Sequence, residues 1–93
     1  MRPQNVISPR RSVSELDVIV EEKDFSMASL KWNGKSRIAI RWNGEGESMG
    51  YPVSRGYPTW FVIPKQVALA YAQKTNNHKL EAVIRASSDE PFT

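Results

Sequence analysis

Two eight-residue runs, 25–32 and 35–42, are separated only by Asn33-Gly34. A two-residue hairpin loop needs positive φ at both positions, and Asn and Gly tolerate it better than other residues. The pair therefore predicts a tight antiparallel hairpin with Trp32 opposite Lys35, Leu30 opposite Arg37, Met27 opposite Ile40 and Phe25 opposite Trp42. Directly paired residues share a face. One face then carries Phe25, Met27, Ile38, Ile40 and Trp42, and is the expected core face. The other carries Leu30, Trp32, Lys35, Arg37 and Arg41, with Ser26, Ala28 and Ala39. A slip of one residue would exchange the faces and bury Arg37 and Arg41, which argues for this register.

The flanking segments extend the sheet. Leu16 to Glu21 alternates as a strand, with Leu16, Val18 and Val20 inward and Ile19 breaking the pattern. Thr59-Trp60-Phe61-Val62-Ile63 is apolar on both faces and reads as a central strand. Pro64 suits the first turn of a helix over 64–75, with Val67, Ala68, Tyr71 and Ala72 at core spacing and Asn76-Asn77 as its end. Residues 79–86 fit a helix or a strand, composition slightly favouring helix. The expected fold is α+β: a twisted antiparallel sheet of about four strands, open or curled into a half-open barrel, with a C-terminal helix packed on it. Ninety-three residues support one domain. Its bounds read as 15–86, preceded by a flexible basic arm, 1–14, and followed by a polar tail, 87–93.

Charge is unevenly placed. Arg2, Arg10 and Arg11 give the arm its whole excess of +3, so the rest of the chain is neutral. Residues 15–24 hold five acids, and 31–79 hold eight bases against Glu45 and Glu47. This permits nucleic-acid contact without requiring it. No apolar run approaches a membrane span or a secretory leader, and there is no cysteine. A cytoplasmic protein without disulfides or thiolate metal sites is expected.

Catalytic chemistry is poorly supplied. His78 is the sole histidine, Glu45 and Glu47 sit in a glycine-rich loop, and no general base is evident for Ser54. No catalytic residue, metal site or cofactor is assigned. Two binding candidates stand out. The loop 45–58, with Tyr51, Ser54, Arg55 and Tyr57 beside Arg41, suits a protein partner or a small acidic or aromatic ligand. The hairpin face with Trp32, Lys35 and Arg37 suits stacking and phosphate contact with nucleic acid. Uncovered Leu30, Trp32, Trp60 and loop tyrosines would also favour a homodimer.

The strings Arg41-Trp42-Asn43-Gly44 and Ser54-Arg55-Gly56-Tyr57-Pro58-Thr59-Trp60 carry a resemblance over about residues 38–64. They resemble small bacterial proteins of unassigned activity carried on plasmids, phages and integron gene cassettes. The resemblance implies cargo of mobile DNA; it brings no mechanism and no catalytic residue. The expectation is therefore a non-catalytic binding or interaction protein, with nucleic-acid binding as the alternative and a small enzyme third.

Overall fold

The computed structural model describes residues 2–86. The tail expected at 87–93 lies outside the described residues. The strands are β1 (Val13–Glu21), β2 (Phe25–Trp32), β3 (Lys35–Trp42), β4 (Val53–Ser54), β5 (Tyr57–Pro58) and β6 (Phe61–Ile63). The helices α1 (Lys65–Lys74) and α2 (His78–Ala86) follow. The main sheet is open and antiparallel, in the order β1-β2-β3-β6; β4 and β5 pair apart from it.

The β2–β3 hairpin has the register that Asn33-Gly34 demands, from Trp32↔Lys35 to Phe25↔Trp42. Both turn residues take positive φ, at 53° and 83°. The faces also separate as the register dictates. Met27 and Ile38 are buried on one, with Phe25, Ile40 and Ile63 packed beside them. Ala28, Leu30 and Ala39 are buried on the other, with Trp32 and Val62.

The two helices cover the first face through Ala68, Ala72, Leu80 and Ile84. Alanine at 68 and 72 presents a single methyl group, which lets α1 lie close to the sheet. Residues 79–86 are thus helical, and Asn77 caps α2: its Oδ1 accepts from the Leu80 N–H at 2.9 Å. Asn76 takes the positive φ expected at the end of α1. Pro64 stands at the N-cap, one position before the first turn. Val67 turns outward, and Leu69 packs on the core in its place.

The second face is covered from within the chain. The segment expected as a flexible arm forms a 3-10 turn, Pro3–Asn5, and buries Pro3 and Val6. Trp60 Nε1 donates to the Val6 carbonyl at 2.7 Å, and Thr59 Oγ1 donates to the Ser8 carbonyl at 2.8 Å. This fixes the segment over Leu30 and Trp60, and it removes much of the bare apolar surface on which the dimer expectation rested.

β1 departs from simple alternation at two irregularities, between Ser14 and Asp17 and between Val18 and Val20. The second inserts Ile19, so Val18 packs on the arm-covered face while Val20 and Ile19 pack on the helical one. That is why Ile19 broke the pattern. Among the described residues β6 pairs only with β3 and is an edge strand, not a central one. It is apolar on both sides because Val62 packs on the arm-covered face and Ile63 on the helical one.

Candidate functional site

At the end of the helical face lies a recess of about 360 Å³. β2 supplies Phe25, β3 supplies Ile40 and Trp42, the following loop supplies Tyr51 and Pro52, β6 supplies Phe61 and α1 supplies Tyr71. Phe25 and Tyr71 meet edge to face, with centroids 5.9 Å apart and planes at 86°. Trp42 ends β3 and pairs with Phe25 at the margin of the sheet. It was expected in the core but is 60% exposed, because the helices do not extend over it. Tyr51 at 63% and Phe61 at 59% complete an open aromatic rim.

The loop reaches the recess through a reciprocal backbone bridge. Trp42 N–H donates to the Tyr51 carbonyl at 2.8 Å, and Tyr51 N–H donates back at 3.1 Å. Inside the closed segment, the Asn43 side chain accepts from Ser26 Oγ and donates to the Glu22 carbonyl, each at 2.8 Å. Its backbone N–H donates to the Asp24 carbonyl. The β1–β2 turn, β2 and the loop are thereby joined at one buried amide. Gly50 packs so closely on this knot that a Cβ there would overlap the Trp42 carbonyl oxygen. The sequence reading missed Asn43. Its signal was a second Asn-Gly with no strand to follow it directly.

Arg41 is 2% exposed, not displayed on an open face. It pairs with Ser26, so its side chain leaves the sheet opposite to Phe25, Ile40 and Trp42. The guanidinium donates to the carbonyls of Met49 and Thr59, on either side of the tyrosines. Nε is buried without a partner, and no ion pair reaches the group among the described residues. Burial pulls its pKa below the ordinary arginine value. The side chain therefore acts as a brace for the loop, at a residue that also borders the recess.

Of the loop residues expected at the site, Tyr51 lines the recess, and Ser54, Arg55 and Tyr57 do not. These three sit on the small β4–β5 hairpin, where Arg55-Gly56 makes a second two-residue turn with positive φ at both positions. All three are exposed. Arg41 and Arg55 therefore do not converge on one pocket.

Trp32, Lys35 and Arg37 do come together, lining a recess of about 450 Å³ with Asn33, Trp60, Phe61 and Val62. Lys35 is exposed and Trp32 half-buried, while Arg37 is buried and donates from Nη1 to the Ser36 carbonyl at 2.8 Å. The register read from the sequence is correct, although both arginines used to argue for it are buried in it. They are accommodated by backbone carbonyls, which a pattern of residue types does not reveal.

Among the described residues no helix is long and apolar enough to cross a membrane, and no three acidic or histidine side chains are grouped to hold a metal ion. No protein-family model, curated protein or solved structure matches the chain.

Proposed function

We propose that the protein is a non-catalytic interaction module whose aromatic recess receives a large apolar side chain of a partner. The observation that carries this reading is the exposed rim of Trp42, Tyr51 and Phe61 around an apolar hollow. A domain of this size that buries its other tryptophans wholly or in part gains nothing in stability from leaving three rings in water. The recess is at the small end of ligand-site volumes, suited to one ring or one branched aliphatic group. Its walls are held by the Trp42–Tyr51 bridge and the Arg41 brace, so little ordering is needed on binding.

The test is a nuclear magnetic resonance titration with N-acetyl-phenylalaninamide and N-acetyl-leucinamide. Saturable shifts centred on Phe25, Trp42, Tyr51, Phe61 and Tyr71, weakened in Phe61→Ser, are expected. Shifts elsewhere, or none, would remove the reading. If the occupant is a second copy of the chain, light scattering at tens of micromolar protein returns a dimer.

The recess of Trp32, Lys35 and Arg37 favours nucleic acid as the second reading. It requires single-stranded DNA binding that falls steeply with salt and is lost in Lys35→Glu.

A further inference from the structure

The Asn-Gly bond is chemically labile, because a glycine nitrogen has no side chain beside it to hinder attack on the asparagine carboxamide. The glycine N attacks Cγ of the asparagine. A C–N bond forms, the Cγ–Nδ2 bond breaks, and ammonia leaves with the proton that the attacking nitrogen gives up. Water then opens the cyclic imide at one carbonyl or the other, giving aspartate or isoaspartate. The attack requires the side chain and the next peptide to rotate until the nitrogen stands over Cγ, so folding governs the rate. Asn33 and Gly34 are both exposed at the tip of the β2–β3 hairpin, with open space around Gly34. Asn43 is 7% exposed, and both ends of its carboxamide are held, by Ser26 and by the Glu22 carbonyl. Gly44 is held as well: a Cβ on it would stand 2.6 Å from the Gly50 nitrogen.

From this contrast we infer that Asn33 is a site of spontaneous, age-dependent modification to aspartate and isoaspartate, and that the fold shields Asn43 from the same reaction. An exposed turn opens locally at small cost. At position 43 the same movement has to break two side-chain hydrogen bonds and lift Gly44 off Gly50. The modification changes the protein where it occurs. Asn33 lines the recess that contains Trp32 and Trp60, so either product places a carboxylate there. Isoaspartate also routes the main chain through its side chain, which adds a methylene to a loop of two residues. A two-residue loop sets the register of its strands. The pairing of Trp32 with Lys35, next to the turn, is therefore the first to be disturbed. The shape and charge of this recess then depend on how long a given copy of the chain has existed.

Trypsin separates the two sites. Cleavage after Lys31 and Lys35 releases residues 32–35, and cleavage after Arg41 and Arg55 releases residues 42–55. The full chain is aged at mildly alkaline pH, native and in urea, then digested briefly, and mass spectrometry reads the replacement of amide by carboxyl in each peptide. In urea the two peptides are expected to change at similar rates, since each asparagine lies between Trp and Gly. In the native protein 42–55 should change about tenfold more slowly than 32–35. Asn33→Ser should abolish the change in 32–35 and leave 42–55 as it was. Ser26→Ala removes one partner of the Asn43 carboxamide, and should speed 42–55 in the native protein while leaving 32–35 unchanged. Equal rates in the native protein overturn the inference, and so does a native Asn33 that stays intact while both peptides change in urea. A ratio in urea equal to the native one overturns it too, because sequence alone would then set the difference. No change at 42–55 in Ser26→Ala overturns the shielding.

Discussion

The tripeptide Trp-Asn-Gly occurs twice, ten residues apart, and does two different jobs. At 32–34 the Asn and Gly are exposed, both take positive φ, and a Cβ at Gly34 would meet nothing within 4 Å. The turn is a local solution, set by two backbone conformations. At 42–44 the Asn is buried, and its amide reaches Ser26 and Glu22, 17 and 21 residues away. Here the backbone conformation of Asn43 is ordinary and its side chain matters. One copy is a bend in a ribbon; the other is a tertiary joint that sets the wall of the aromatic recess.

Substitutions that treat the two copies alike separate these roles, and urea denaturation reads each of them. The largest effect is expected at Gly50, which packs against the second copy. Gly50→Ala places a methyl group on the Trp42 carbonyl at a positive φ, and should cost about 3–4 kcal/mol. Asn43→Gly should cost about 2 kcal/mol, because Ser26 Oγ and the Glu22 carbonyl each lose a partner. If that variant is as stable as wild type, the joint is not one. Gly34→Ala should cost about 1 kcal/mol, from φ alone. Asn33→Gly should change stability by less than about 0.5 kcal/mol, since glycine adopts the same conformation freely. A loss at position 33 equal to that at 43 would erase the distinction.

What the sequence disclosed follows the same division. The β2–β3 hairpin, its register and its sorting of faces were legible because a two-residue turn fixes all of them locally. The end of α1 at Asn76 was legible for the same reason. What covers the second face was not. Pro3 and Val6 show no periodicity, and Val6 is covered by Trp60, 54 residues further along the chain. Trp42 was assigned to the core because its face is the core face, yet a face continues past the helices that cover it. At the site, Tyr51 was legible from its loop, whereas Phe25, Phe61 and Tyr71 converge from three elements with no shared motif. Arg41 was read as a candidate binding residue; its guanidinium is buried. Two carbonyls occupy it.

The bond from Trp60 to Val6 spans 54 residues and that from Thr59 to Ser8 spans 51. The hairpin closes over two. Such separation orders events in time as well as in space. During synthesis Val6 and Ser8 emerge well before the residues that hold them, Trp60 and Thr59, have been made, and so they find their places late. Loop-closure entropy sets the same sequence in refolding, with ribbon first and clasp afterwards. A chain stopped short of residue 60 would lack Trp60 and both helices, leaving both faces of its hairpin bare and open to mispairing.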